Sequence, residues 1–82
     1  SMEVFPNPSN GPVMVAYEVP EGVANAELRL MDVHGRFLKR MRVGEGPGLV
    51  QLTTEALSSG VYLTDLSLDG IRVAQQKVVV QH

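Results

Sequence analysis

With 82 residues, 44% of them hydrophobic and 20% charged, the chain is composed for one globular domain with one modest core. A formal charge of −2 gives no electrostatic case for nucleic acid or an anionic membrane surface, and the lack of cysteine removes disulfides and thiolate chemistry. No apolar run nears the roughly 20 residues a membrane helix needs, so membrane insertion is not expected, and no basic-plus-apolar signal peptide is seen. Ser1-Met2 reads as an expression scar ahead of a single domain over residues 3–82.

In chain order, the first predicted strand is short, near residues 3–5, and runs into "FPNPSNG" (Phe5 to Gly11). Pro6 and Pro8 have no backbone donor, so this stretch cannot occupy a central strand, and each proline steers the residue before it towards extended geometry. Asn10-Gly11 offers two residues that tolerate positive φ and predicts a reversal into the next strand. The stretch therefore reads as a stiff first element of the fold rather than a loose leader, which would use Gly and Ser without paired prolines. Over residues 13–19, Val13, Val15, Tyr17 and Val19 alternate with Met14, Ala16 and Glu18, the period of a half-buried strand. After the loop Pro20 to Asn25, Leu28 and Leu30 continue that period over residues 26–33. "DVHGR" then predicts a three-residue hairpin: Asp32 opens a type I turn through Val33-His34, and Gly35 takes the left-handed position.

The strand over residues 36–43 carries Lys39, Arg40 and Arg42, a solvated basic run suited to an edge. Gly44 to Gly48 reads as a loop, residues 49–53 as a short strand, and Thr53 to Ser59 as an ambiguous piece that could close one helical turn. Residues 61–68 place Tyr62, Thr64, Leu66 and Leu68 on one face and Val61 and Leu63 on the other. "LDGI" (Leu68 to Ile71) is the signature of a two-residue type I′ hairpin into a last strand over residues 71–80. Short strands at about ten-residue spacing predict an all-β, immunoglobulin-like antiparallel β-sandwich of about seven strands, with a small barrel as the second choice.

Little in the chain can catalyse. His34 falls in a hairpin turn beside Asp32, and His82 falls at the terminus; neither has partners at ligand spacing, so no catalytic, cofactor-binding or metal residues are assigned. No G-x-S-x-G, P-loop or dinucleotide fingerprint is present, and Pro8 spoils "NPS" as a glycosylation acceptor. Two Phe, two Tyr and no Trp offer a poor stacking platform for bases or sugars. Tyr62, five residues after Leu57 and across a Ser-Ser-Gly turn, fits either a tyrosine corner bonded to upstream backbone or an ordinary half-buried tyrosine.

Four features in this order resemble the type A C-terminal sorting domain of the type IX secretion system, found on cargo of Bacteroidetes. They are "FPNPSNG", "DVHGRFL", "LSSGVYL" and "QKVVVQ". The family's opening Pro-Asn-Pro-x-x-Gly is matched by Pro6, Asn7, Pro8 and Gly11, and its Asp-x-x-Gly-Arg hairpin by Asp32, Gly35 and Arg36. Its Leu-x-x-Gly-x-Tyr is matched by Leu57, Gly60 and Tyr62, and its closing lysine and hydrophobic strand by Lys77, Val78, Val79 and Val80. The resemblance implies a non-catalytic address on an upstream, covalently linked cargo domain. It implies passage through the periplasm and outer membrane to a secreted or cell-surface location. The implied partners are the outer-membrane translocon, its shuttle protein and a sortase-like peptidase, with no cofactor.

Within the resemblance, Lys77 to Gln81 are the candidate recognition residues. A β-branched terminal strand is suited to joining a partner's sheet, while Val78 and Val80 equally suit a plain core role. The competing expectation is an immunoglobulin-like accessory module of a larger extracellular enzyme, as spacer or carbohydrate binder. The outermost strands also leave room for an edge-paired or swapped dimer.

Overall fold

The computed structural model describes residues 2–82 and contains seven β-strands: β1 (Met2–Phe5), β2 (Val13–Val19), β3 (Ala26–Asp32), β4 (Phe37–Val43), β5 (Gly46–Leu52), β6 (Gly60–Leu68) and β7 (Ile71–Val80). They form a three-stranded sheet, β1-β2-β5, and a four-stranded sheet, β4-β3-β6-β7. Every paired strand is antiparallel, and the two sheets pack as a sandwich, as the period-two patterning predicts. Ser1, read above with Met2 as an expression scar, lies outside the described residues; Met2 pairs with Tyr17 and is buried in the core.

The core follows the alternation. Val13, Val15 and Val19 of β2 face Leu28 and Leu30 of β3, Leu66 of β6 and Val78 and Val80 of β7 in one buried cluster. Leu28, Leu66, Val13, Val15, Val78 and Val80 are essentially inaccessible, and each stabilises the fold by about 1.5–3 kcal/mol through burial. The partly buried Tyr17, Tyr62 and Leu57 close its margins.

Both hairpin predictions hold. Asp69 and Gly70 have φ of 50° and 85°, and Leu68 pairs directly with Ile71, as a type I′ turn requires. In the β3–β4 turn Gly35 has φ of 83°, and its N–H donates to the Asp32 carbonyl at 3.0 Å. Three details differ from expectation. Asn10 and Gly11 do not take positive φ; the reversal is made by Ser9, whose Oγ donates to the Gly11 carbonyl at 2.6 Å and accepts from the Gly11 N–H at 3.1 Å. Gly46 to Gly48 are strand rather than loop, pairing with Tyr17 to Val19. Pro47 is tolerated because β5 is an edge, and Gly48 is required because a Cβ there would collide with the Tyr17 ring that lies across it. Thr53 to Ser59 forms a single turn closed by Leu57 N–H on the Thr54 carbonyl at 3.0 Å, with no helix.

Candidate functional site

The four motifs are separated in sequence, but register places them together at one end of the four-stranded sheet. Asp32 at the end of β3 lies opposite Tyr62 of β6, and Tyr62 lies opposite Val78 of β7. Along the outer edge of β7 runs the opening stretch, with its Phe5–Pro6 and Asn7–Pro8 peptide bonds both cis.

Asn7 acts there as a surrogate strand. Its side-chain Nδ2 donates to the Lys77 carbonyl at 2.6 Å, and its Oδ1 accepts from the Val79 N–H at 2.9 Å. Ser9 continues the pairing through its backbone: its N–H donates to the Val79 carbonyl at 2.8 Å and its carbonyl accepts from the Gln81 N–H at 2.7 Å. A parallel bridge between Ser9 and Val80 results. Pro6 and Pro8 flank Asn7 without donors of their own, so neither leaves an unmet N–H beside the edge. Ser9 is buried, and its loop is pinned by Thr54, whose Oγ1 donates to the Gly11 carbonyl at 2.8 Å. A Cβ at Gly11 would meet nothing, and nothing in the structure explains the glycine there.

The third motif borders the same end. Tyr62 Oη donates to the Ser58 carbonyl at 2.7 Å, which makes Tyr62 a tyrosine corner. Leu57 is half-buried against the core, and Gly60 opens β6 opposite Val80. His82 folds back onto this turn: its N–H donates to Ser59 Oγ at 2.9 Å, and its Nε2 lies 2.7 Å from the Leu57 carbonyl. The terminal strand is thus held on both sides. Val78 and Val80 are core residues, Val79 is half-buried, and Lys77 and Gln81 are exposed.

In the second motif Asp32 organises the turn as predicted. Its Oδ1 accepts from the His34 N–H at 2.9 Å and the Arg36 N–H at 3.0 Å, and its Oδ2 pairs with Arg36 Nε at 3.0 Å. The Arg36 N–H is the main cause of a lowered Asp32 pKa; desolvation opposes it, and the His34 N–H with the nearby Arg36 charge keeps the net shift downward.

Sequence reasoning missed an ionic network on the outer face of the four-stranded sheet. Asp65 of β6 is fully buried there, between Arg29 of β3 (Nε–Oδ1 and Nη2–Oδ2, each 2.7 Å) and Arg72 of β7 (Nε–Oδ2, 2.8 Å). Burial pushes its pKa up, but the hydrogen bonds from Arg29 and Arg72 outweigh that and hold it below the ordinary carboxylate range. The Asp65 bond in turn raises the pKa of Arg29. The available signal was a lone Asp at an outward position of an apolar strand, but its partners depend on strand order, which spacing does not give.

Two shallow depressions of about 240 and 360 Å³ are lined by residues of β1, β2, β5 and the adjoining loops, away from the motifs. Among the described residues, no group of three or more His, Cys, Asp or Glu gathers as a metal site.

A family model for the secretion system C-terminal sorting domain matches residues 3–81. No curated protein matches the chain. The match takes in all four motifs and the end of the sheet that they build, and on it the chain belongs to the C-terminal sorting domains of the type IX secretion system.

Proposed function

We propose that this domain is a non-catalytic address for an upstream, covalently joined cargo in a Bacteroidetes cell, read at its terminal strand. The family is one of sorting signals and implies export to the outer membrane or cell surface. The finer reading is that the domain folds in the periplasm and is recognised by the outer-membrane translocon and its shuttle. A sortase-like peptidase then separates it from the cargo at the surface.

The observation that carries this reading is the convergence of Asn7, Ser9 and Tyr62 on Lys77 to Gln81. Residues scattered over the chain serve to fix one terminal segment in one conformation. A rigid, pre-ordered segment is recognised at a lower entropic cost than a loose tail, which is what a signal read once per cargo molecule needs. The test is a reporter fused ahead of residues 3–82, with and without Lys77 to His82, in a type IX-competent bacterium. The intact fusion reaches the surface and the truncated one stays in the periplasm; export of the truncated fusion would remove Lys77 to Gln81 from recognition.

A further inference from the structure

The charges of this chain are sorted by sheet. All seven Lys and Arg residues lie on the four-stranded sheet or in its β3–β4 turn. Glu3, Glu18, Glu21, Glu45 and Glu55 lie on the three-stranded sheet or in loops leaving it. The net charge of −2 therefore conceals a bipolar molecule. On the outer face of the four-stranded sheet, Arg29, Arg40, Arg42, Arg72 and Lys77 outnumber Glu27 and Asp65, which are both engaged by arginines. Arg42 and Lys77 make no ion pair among the described residues. Phe37, 43% exposed, has the guanidinium groups of Arg29 and Arg40 over its ring, each 4.9 Å from the ring centre.

We infer that this face is the docking surface for an acidic protein surface, and that Lys77 is read as one part of it. The inference rests on the sorting-signal reading above and names its partner chemistry. Two observations carry it. The first is composition: guanidinium groups around an exposed aromatic are the chemistry of protein interfaces, where arginine forks onto carboxylates and lysine is scarce. Anionic headgroups are instead met by clusters of roughly 4–8 Lys and Arg beside a membrane helix or on an amphipathic one, whereas three of the five cations on this sheet face are already paired with Glu27 or Asp65. The second is the closed edge. Asn7 and Ser9 already hold the outward backbone groups of Lys77, Val79 and Gln81, so addition of a partner strand there would have to displace them. A partner that meets the terminal strand as folded meets its outward side chains, Lys77 and Val79, which are contiguous with the cationic face. Long-range attraction of this kind sets the encounter rate and the choice of partner.

The test uses four reporter fusions to residues 3–82: wild type, R40E/R42E, K77E, and E3K/E18K on the opposite sheet. K77E serves as a second variant at a position without an ion pair, and circular dichroism of each isolated chain verifies folding. Surface display is expected to fall about tenfold or more in R40E/R42E and K77E, since like-charge contacts across an interface are strongly disfavoured. E3K/E18K is expected to match wild type. Wild-type display in R40E/R42E and K77E would overturn the docking surface and leave the sorting reading standing, whereas failure of the wild-type fusion itself would overturn both. In vitro, an oligoglutamate peptide should shift the amides of β3, β4 and β7 at low salt, and R40E/R42E should abolish the shifts. Cosedimentation with phosphatidylglycerol vesicles and no response to the peptide would overturn a protein partner in favour of a lipid one.

Discussion

Asp65 is buried on the outward side of a sheet and still ionised, because Arg29 and Arg72 bring three hydrogen bonds to its carboxylate. Its folded pKa lies below the ordinary value of 3.8, so it contributes stability that is present above that value and lost as pH falls through the folded one. Asp32 shifts in the same direction and adds to the same acid limb. Asp65→Asn leaves Arg29 half-buried without its counter-charge and should cost about 2–3 kcal/mol, less than a fully buried pair because Arg72 is half exposed. Thermal unfolding followed by circular dichroism should show the midpoint near neutral pH falling by about 10–20 °C, with a flatter decline into acid than wild type. An unchanged midpoint would remove the network from the stability of the fold. Tyr62→Phe loses only the bond to Ser58 and should cost about 0.5–1.5 kcal/mol with the fold intact, read as a midpoint shift of a few degrees in the same experiment.

At the scale of elements, what the sequence makes legible is what neighbouring residues decide. The Asp69-Gly70 and Asp32 to Gly35 turns need positive φ and a capping carboxylate at fixed offsets, and both appear where local chemistry puts them. The alternation in β2, β3 and β6 names the core face directly. Gly46 to Gly48 is different: Gly and Pro suggest a loop, and only pairing with β2 and the cover of Tyr17 make them strand. The role of Asn7 was equally hidden. The proline pair showed that the stretch is stiff, but its partner lies 70 residues away, and sequence spacing says nothing about that distance. Asn7 also provides the element-scale test. Asn7→Ala removes both bonds to β7 and should raise hydrogen exchange at the Val79 amide about tenfold, with about 1–2 kcal/mol lost. Asn7→Asp keeps the acceptor for Val79 but sets a carboxylate against the Lys77 carbonyl, so it should be no more stable than Asn7→Ala. Slow Val79 exchange in Asn7→Ala would show that the edge is held by Ser9 alone.

Across the whole molecule, the ordered motifs were visible as separate phrases before any geometry, and the family match over residues 3–81 agrees with them. Their meeting at one end of one sheet was not visible, nor was the separation of charge between sheets, because each depends on strand order rather than on spacing. Together these features give a terminal strand fixed in place with a cationic face beside it, the arrangement that the proposed address would present. The account stands or falls on sufficiency. A reporter carrying residues 3–82 as its C-terminal domain should be recovered at the cell surface or in the medium in type IX-competent cells, and in the periplasm of the same cells lacking the translocon. Periplasmic retention in both strains, with the fused domain folded, would contradict it.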